Sequence, residues 1–220
     1  MKVILFGATG MVGQGVLREC LEDATVEELL VVGRSACSVD HPKVRQIVRE
    51  DLFDYADIED ELSGYDACFF CLGVSAAGMD EAQYSRITYD LTLAAARTLA
   101  RVSPKTTFVY VSGHGTDSSE QGRAMWARVK GKTENELLKL PFESAYMFRP
   151  AFIQPKHGIT SRTRLYRVLY SVFGPLFPIL DALFPKYITT TEQVGRAMLA
   201  VAKEGHSTPI VDNEAIRAFG

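Results

Sequence analysis

The chain of 220 residues is 47% hydrophobic and 23% charged, with a formal net charge of -3, a balance that excludes long disorder and a strongly basic nucleic-acid binder. A fold of this length buries about 70% of its unfolded surface, so neither disulfides nor a metal are needed to hold it. Four cysteines are too sparse for a disulfide scaffold, which leaves one globular domain over residues 1–220 in a reducing, cytoplasmic setting.

The first apolar run, Met1-Lys2-Val3-Ile4-Leu5-Phe6, meets Gly7, Gly10, Gly13 and Gly15 before a signal-peptide core is complete. Residues 3–6 therefore read as a strand, and residues 11–21, with Val12, Val16 and Cys20 four apart, as a helix. Further strands are expected at 29–32, 44–48, 67–72, 107–112 and 144–148, mostly apolar on both faces as buried parallel strands are. Long helices are expected at 80–102 and 123–140. This alternation predicts an α/β fold, a doubly wound parallel sheet with helices on both faces. Thr190 and Gln193 have the spacing of a capping box, opening a helix that carries Val194, Ala197, Met198 and Val201 on one face.

Between these parts the chain changes character. A basic stretch through Arg162, Arg164 and Arg167 leads into an apolar run over 165–185, broken by Pro175, Pro178 and Asp181. Prolines and charges are costly in a membrane-spanning helix. Residues 154–185 are read instead as a small helical cap on the substrate side of the sheet, and membrane or nucleic-acid partners are not expected.

Chemistry concentrates at Gly7-Ala8-Thr9-Gly10-Met11-Val12-Gly13, which follows the first strand and opens the first helix. Gly7 permits a tight turn, Gly10 lets the backbone approach a pyrophosphate, and Gly13 allows close helix-to-strand packing. Free N–H groups and the helix dipole, at Thr9, Met11 and Val12 as well, favour phosphate. The pattern in this position predicts dinucleotide binding. After the second strand comes Arg34, where an NAD-selective site offers a carboxylate to the adenosine ribose. A guanidinium suits a 2′-phosphate, so NADP(H) is the preferred cofactor, with NAD(H) left open.

The Gly7/Gly10/Gly13 loop, Arg34, Asp51-Leu52, Ser112 and Lys130 resemble the atypical and extended short-chain dehydrogenase/reductases. Val32-Gly33-Arg34, Cys71-Leu72-Gly73, Val129-Lys130-Gly131, Phe148-Arg149-Pro150 and Asn213-Glu214-Ala215-Ile216 make the chain resemble in particular the Tat-interacting-protein-like group. The resemblance implies that Asp51 and Leu52 lie by the adenine and that Leu72 and Gly73 line the cofactor. It implies further that Ser112 polarises a substrate carbonyl, that Lys130 binds the nicotinamide ribose, and that Phe152 and Ile153 border the nicotinamide. Each polar residue also has an ordinary structural role open to it: a solvated arginine for Arg34, a strand-end hydroxyl bonded to backbone for Ser112, an exposed helix cation for Lys130.

The departure from the family pattern is Trp126. Active members carry tyrosine four residues before the lysine, one helical turn away, where the ammonium lowers its pKa for proton exchange. An indole N–H only donates a hydrogen bond and is no acid near neutral pH. His114, with an ordinary imidazole, is the nearest replacement acid in sequence, and Tyr166 or Tyr170 could reach in from the cap. Cys68 and Cys71 lie three apart on a strand and point to opposite faces, which disfavours a disulfide or a shared metal, and no metal site is expected.

The expectation is thus an NADP(H)-binding oxidoreductase or epimerase-like enzyme acting on a small molecule. The alternative is a catalytically impaired, NADP(H)-responsive regulator or scaffold with a protein partner. A monomer and a homodimer fit equally.

Overall fold

A computed structural model describes residues 1–160 and 185–219. Strand β1 (Lys2–Phe6) is followed by α1 (Met11–Glu22), β2 (Glu28–Gly33), β3 (Val44–Val48), a 3-10 segment at Ala56–Leu62 and β4 (Ala67–Phe70). Next come α2 (Glu81–Ser85), a π-helical turn at Arg86–Asp90, α3 (Leu91–Val102), β5 (Thr107–Val111), α4 (Met125–Leu137) and β6 (Ser144–Arg149). The described chain closes with β7 (Phe152–Gln154), β8 (Ile188–Thr190), α5 (Thr191–Glu204), β9 (Ile210–Asp212) and α6 (Asn213–Ala218).

Seven of these strands form one parallel sheet in the order β3-β2-β1-β4-β5-β6-β9, while β7 and β8 pair separately. The apolar character of β1 follows from its central place. Val3 and Leu5 enter one core with Val16 and Cys20 of α1 and Val194 and Met198 of α5. Ile4 and Phe6, on the other face, join Leu93 and Leu99 of α3 and Phe108. Successive strand residues alternate sides, so a strand covered by helices on both faces must be hydrophobic throughout. This is a Rossmann-like, doubly wound sheet, and the strand order reverses between β1 and β4.

Three features differ from the sequence expectation, one matches it, and one lies outside the described residues. The helix expected over 80–102 is opened near its middle by the π turn, where Thr92 Oγ1 donates back to the Thr88 carbonyl at 2.6 Å. A threonine hydroxyl that bonds the preceding turn competes with the regular ladder. Strand β9 extends the sheet beyond β6 through Met147, Phe148 and Arg149, and β7–β8 adds a small second sheet; at three residues each, these strands carry too little periodicity to stand out. The capping box of α5 is present, Thr190 accepting from the Gln193 amide at 3.0 Å and Gln193 Oε1 accepting from the Thr190 amide at 3.0 Å. Of the expected cap at 154–185, residues 161–184 lie outside the described residues, and with them Arg162, Arg164, Tyr166, Arg167 and Tyr170. Among the described residues no helix is long and apolar enough to cross a membrane.

Candidate cofactor site

The reversal of strand order between β1 and β4 leaves a crevice at the carboxyl ends of the strands, the place where open α/β sheets bind ligands. A cleft of about 530 Å³ opens there, walled by Gly7, Thr9, Gly10, Met11 and Val12 on one side and Cys71 to Ser75 on the other. Arg34 closes one end; Val111 and Lys130 close the other.

The glycine loop is shaped by contact. Gly7 has φ +83°, and a Cβ there would lie 2.7 Å from the Cys71 carbonyl carbon. A Cβ on Gly13 would lie 2.0 Å from the Gly7 carbonyl oxygen, so only glycine lets α1 start this close to β1. Gly10 is the N-cap of α1; no side chain caps it and its first turn holds no acidic residue. Uncapped N–H groups at the positive end of a helix are suited to a phosphate. Arg34 is exposed, and among the described residues it takes part in no ion pair or hydrogen bond given by the structure. A cradle that a Cβ would fill, an uncapped helix start and an unengaged guanidinium together fit a dinucleotide.

At the opposite end Lys130, half-buried on α4, donates from Nζ to the Ser112 carbonyl. Burial pushes its pKa down to about 8, with the Glu134 carboxylate pulling in the other direction. Glu134 itself is occupied, accepting from Arg149 Nε at 3.0 Å and also from Arg149 Nη2. Ser112 is 4% exposed, and its hydroxyl donates to the Phe148 carbonyl at 3.1 Å. It therefore occupies the strand-end role, with its proton given to β6 and not to the cleft.

His114 is exposed, its amide bonded to the Pro150 carbonyl at 2.8 Å and its ring edge-on to Tyr187 at 5.8 Å. Trp126 is 36% exposed, with its indole against Gly115: a Cβ added there would lie 3.3 Å from it. The intervening segment is fastened to α4 and β6. Asp117 accepts from the Gly122 amide at 2.6 Å, Asn135 Nδ2 donates to the Ser118 carbonyl at 2.9 Å, and Arg149 Nη2 donates to Ser118 Oγ at 2.5 Å.

Of the residues expected at the cofactor, Gly7, Thr9, Gly10, Met11, Val12, Arg34, Leu72, Gly73 and Lys130 wall the cleft. Gly13 supports it from behind. Leu52 is 2% exposed and sits in the core with Phe6 and Tyr55, while Asp51 turns to cap the Phe53 amide at 2.7 Å. Phe152 and Ile153 lie on β7 and are not among the residues that wall the cleft; Ile153 is buried and Phe152 exposed. Val74, Ser75 and Val111 were not singled out by motif; their signal is positional, since they stand at or just after the carboxyl ends of β4 and β5. Burial holds the thiols of Cys20, Cys68 and Cys71 well above their ordinary range, and Cys68 and Cys71 pack into opposite cores.

Residues 7–138 match a family described as NAD(P)H-binding. Protein fmp52, mitochondrial, of Emericella nidulans is 30% identical over 204 residues, covering 89% of this chain and 84% of the relative. Protein HTATIP2 of Rattus norvegicus is 25% identical over 155 residues, 69% of this chain and 62% of that protein. Among solved structures, the Bordetella bronchiseptica enzyme WbmF in complex with NAD+ superposes with a TM-score of 0.68 at 18% identity, over 96% of this chain and 72% of that one. With its glycine cradle, its switch-point cleft and these likenesses together, the chain belongs to the NAD(P)H-binding family.

Proposed function

We propose that the chain binds NADP(H) in preference to NAD(H) and uses it as an oxidoreductase on a small molecule, in the cytoplasm, where its four free cysteines stay reduced. Arg34 carries the cofactor preference: it stands at the end of the cleft beyond β2 with no carboxylate engaging it, where a 2′-phosphate finds a bidentate donor and a carboxylate ligand for the ribose is missing. When bound, the reduced cofactor supplies hydride; the chain's own contribution is the glycine cradle for the pyrophosphate and the Lys130 ammonium at the reaction end. The WbmF neighbour, solved with NAD+, supports the site and leaves the preference to this chain's own arginine.

Calorimetric titration of the native chain with NADPH and NADH tests this. Charge-assisted hydrogen bonds of about 1.5–3 kcal/mol give NADPH roughly a tenfold to hundredfold advantage, and Arg34→Ala removes it while NADH binding stays. Equal binding of the two cofactors by the native chain contradicts the reading. A second reading, an NADP(H)-responsive regulator, is favoured by Trp126 in place of the acid and by the Ser112 hydroxyl turned to Phe148. It predicts tight NADPH binding with no turnover on any acceptor.

A further inference from the structure

Hydride added to a carbonyl carbon leaves an alkoxide, about as basic as hydroxide, whose parent water has a pKa of about 15.7. A proton must reach that oxygen as the charge forms. Among the described residues that wall the cleft, three carry a titrating proton: Arg34, Cys71 and Lys130. Arg34 stands at the far end, and a guanidinium does not give up its proton in a protein. Burial holds the Cys71 thiol well above its ordinary range. Lys130 closes the end opposite Arg34.

The backbone around Lys130 presents its Nζ there. Beyond Val111, the last residue of β5, the chain passes through Ser112 to Gly113, which has φ +134°. A Cβ on Gly113 would lie 4.0 Å from Lys130 Nζ, so the ammonium lies against bare backbone. One N–H goes to the Ser112 carbonyl; an ammonium has three donors, which leaves two for a ligand in the cleft. Glu134, one turn further along α4, pulls Lys130 toward its charged form but is committed at both oxygens to Arg149 of β6. Tyr110 of β5 and Tyr84 of α2 are buried, and burial keeps the Tyr110 phenol neutral. His114 follows Gly113 in the chain. The Arg128–Glu81 pair and Lys132, over Tyr89, start two residues either side of Lys130, about 200° round the helix. Burial outweighs Glu134, and the Lys130 pKa falls to about 8. Such a lysine is mostly ammonium at neutral pH and releases its proton far more readily than an ordinary one at about 10.4, in the range enzymes use for lysines that move protons.

Building on the cofactor and oxidoreductase reading above, we propose that Lys130 is the acid of the site, handing a proton from Nζ to the carbonyl oxygen of an aldehyde or ketone. The carbonyl carbon takes hydride, two electrons with one proton, from NADPH, which is oxidised to NADP+. The C=O π pair moves onto oxygen and bonds the proton released by Lys130, while the electrons of the broken N–H bond stay on nitrogen. The product is an alcohol, and the neutral amine regains its proton from solvent, so each turnover consumes one proton. With Trp126 in the tyrosine position, the proton comes from one turn further along the same helix.

Two readouts test this. In the chain without cofactor, acetic anhydride labelling of Lys130 at increasing pH, followed by mass spectrometry, should titrate near 8; a midpoint at the ordinary lysine value of about 10.4 overturns the proposal. With NADPH bound, reduction of 4-nitrobenzaldehyde should slow as pH rises above about 8. Lys130→Arg keeps the charge and cannot release a proton. It should bind NADPH in calorimetry yet lose at least ~100-fold in kcat, and its residual rate should lack the alkaline fall. Undiminished kcat in Lys130→Arg, or a native rate that is flat to pH 10, overturns the proposal. An inflection near 6.5 that vanishes in His114→Ala assigns the proton to His114 and overturns it too. So does bound NADPH with no turnover of the aldehyde. Failure of NADPH itself to bind strikes the cofactor reading instead, and the two failures are thereby distinguished.

Discussion

Lys130 on α4 donates from its Nζ to the main-chain carbonyl of Ser112, tying the middle of the helix to the carboxyl end of β5. The contact places a cation at the reaction end of the cleft at the expense of hydration, and its pKa falls to about 8 from an ordinary value of about 10.4. A lysine whose folded pKa lies below its unfolded one destabilises the fold fully below the folded value. The penalty fades as pH rises from about 8 to about 10.4, because there the unfolded chain binds the extra proton. The stability of the native chain minus that of Lys130→Met should therefore rise between pH 7 and pH 10. Urea unfolding of both proteins at the two pH values measures it; a difference that is flat or falls with pH contradicts the assignment.

The Glu134–Arg149 pair locks α4 to β6 from below. Glu134 is 1% exposed and is held at both oxygens. Glu134→Ala leaves the guanidinium in a low-dielectric site without its partner, a loss of 3–5 kcal/mol in fully buried pairs. Because Arg149 retains 18% of its side-chain exposure, about 3 kcal/mol or less is expected in denaturant unfolding, with a smaller loss for Glu134→Gln.

Gly131 adjoins Lys130 for a steric reason. A Cβ there would lie 1.8 Å from the Asp117 carbonyl oxygen, so the fastened loop and α4 meet backbone to backbone. Gly131→Ala should cost about 2 kcal/mol or more and should speed amide exchange across residues 113–122 before it affects β1 or β2. Uniformly accelerated exchange would mean that the loop is not the part that yields.

Trp126→Tyr restores a phenol one helical turn before Lys130, at the spacing that lets the ammonium lower its pKa. Reduction of saturated ketones should appear or rise by roughly 10²-fold, the usual contribution of a positioned acid. Steady-state NADPH oxidation with cyclohexanone measures the gain, and an unchanged rate would place Trp126 away from the reacting atoms.

Much of this was legible because the signals were physical and local. Strands β1, β2, β4 and β5 are apolar runs between turn residues, whereas β3, at the sheet edge, is largely exposed; the glycine loop announces itself by sitting between a strand and a helix. Arg34 stood out because of its place after β2. What escaped depends on contacts distant in sequence. Leu52 follows a strand end as an adenine-side residue would, yet Phe6 and Tyr55 draw it into the core. Ser112 offers a hydroxyl at the right strand end, but whether it faces a ligand or the backbone is decided by Phe148, 36 residues later. Nor does any local pattern bring Tyr187 against His114, since that contact depends on Asn213 of α6, which donates to the Lys186 carbonyl and accepts from the Ala151 amide.

One cleft, from Arg34 through the glycine loop to Lys130, is proposed to hold NADP(H). A crystal structure of the chain with NADPH is its most direct measurement. The pyrophosphate is expected against the Gly10–Val12 amides, the 2′-phosphate on Arg34, and the nicotinamide end beside Lys130. A cofactor bound elsewhere, or one whose 2′-phosphate points away from Arg34, would contradict it.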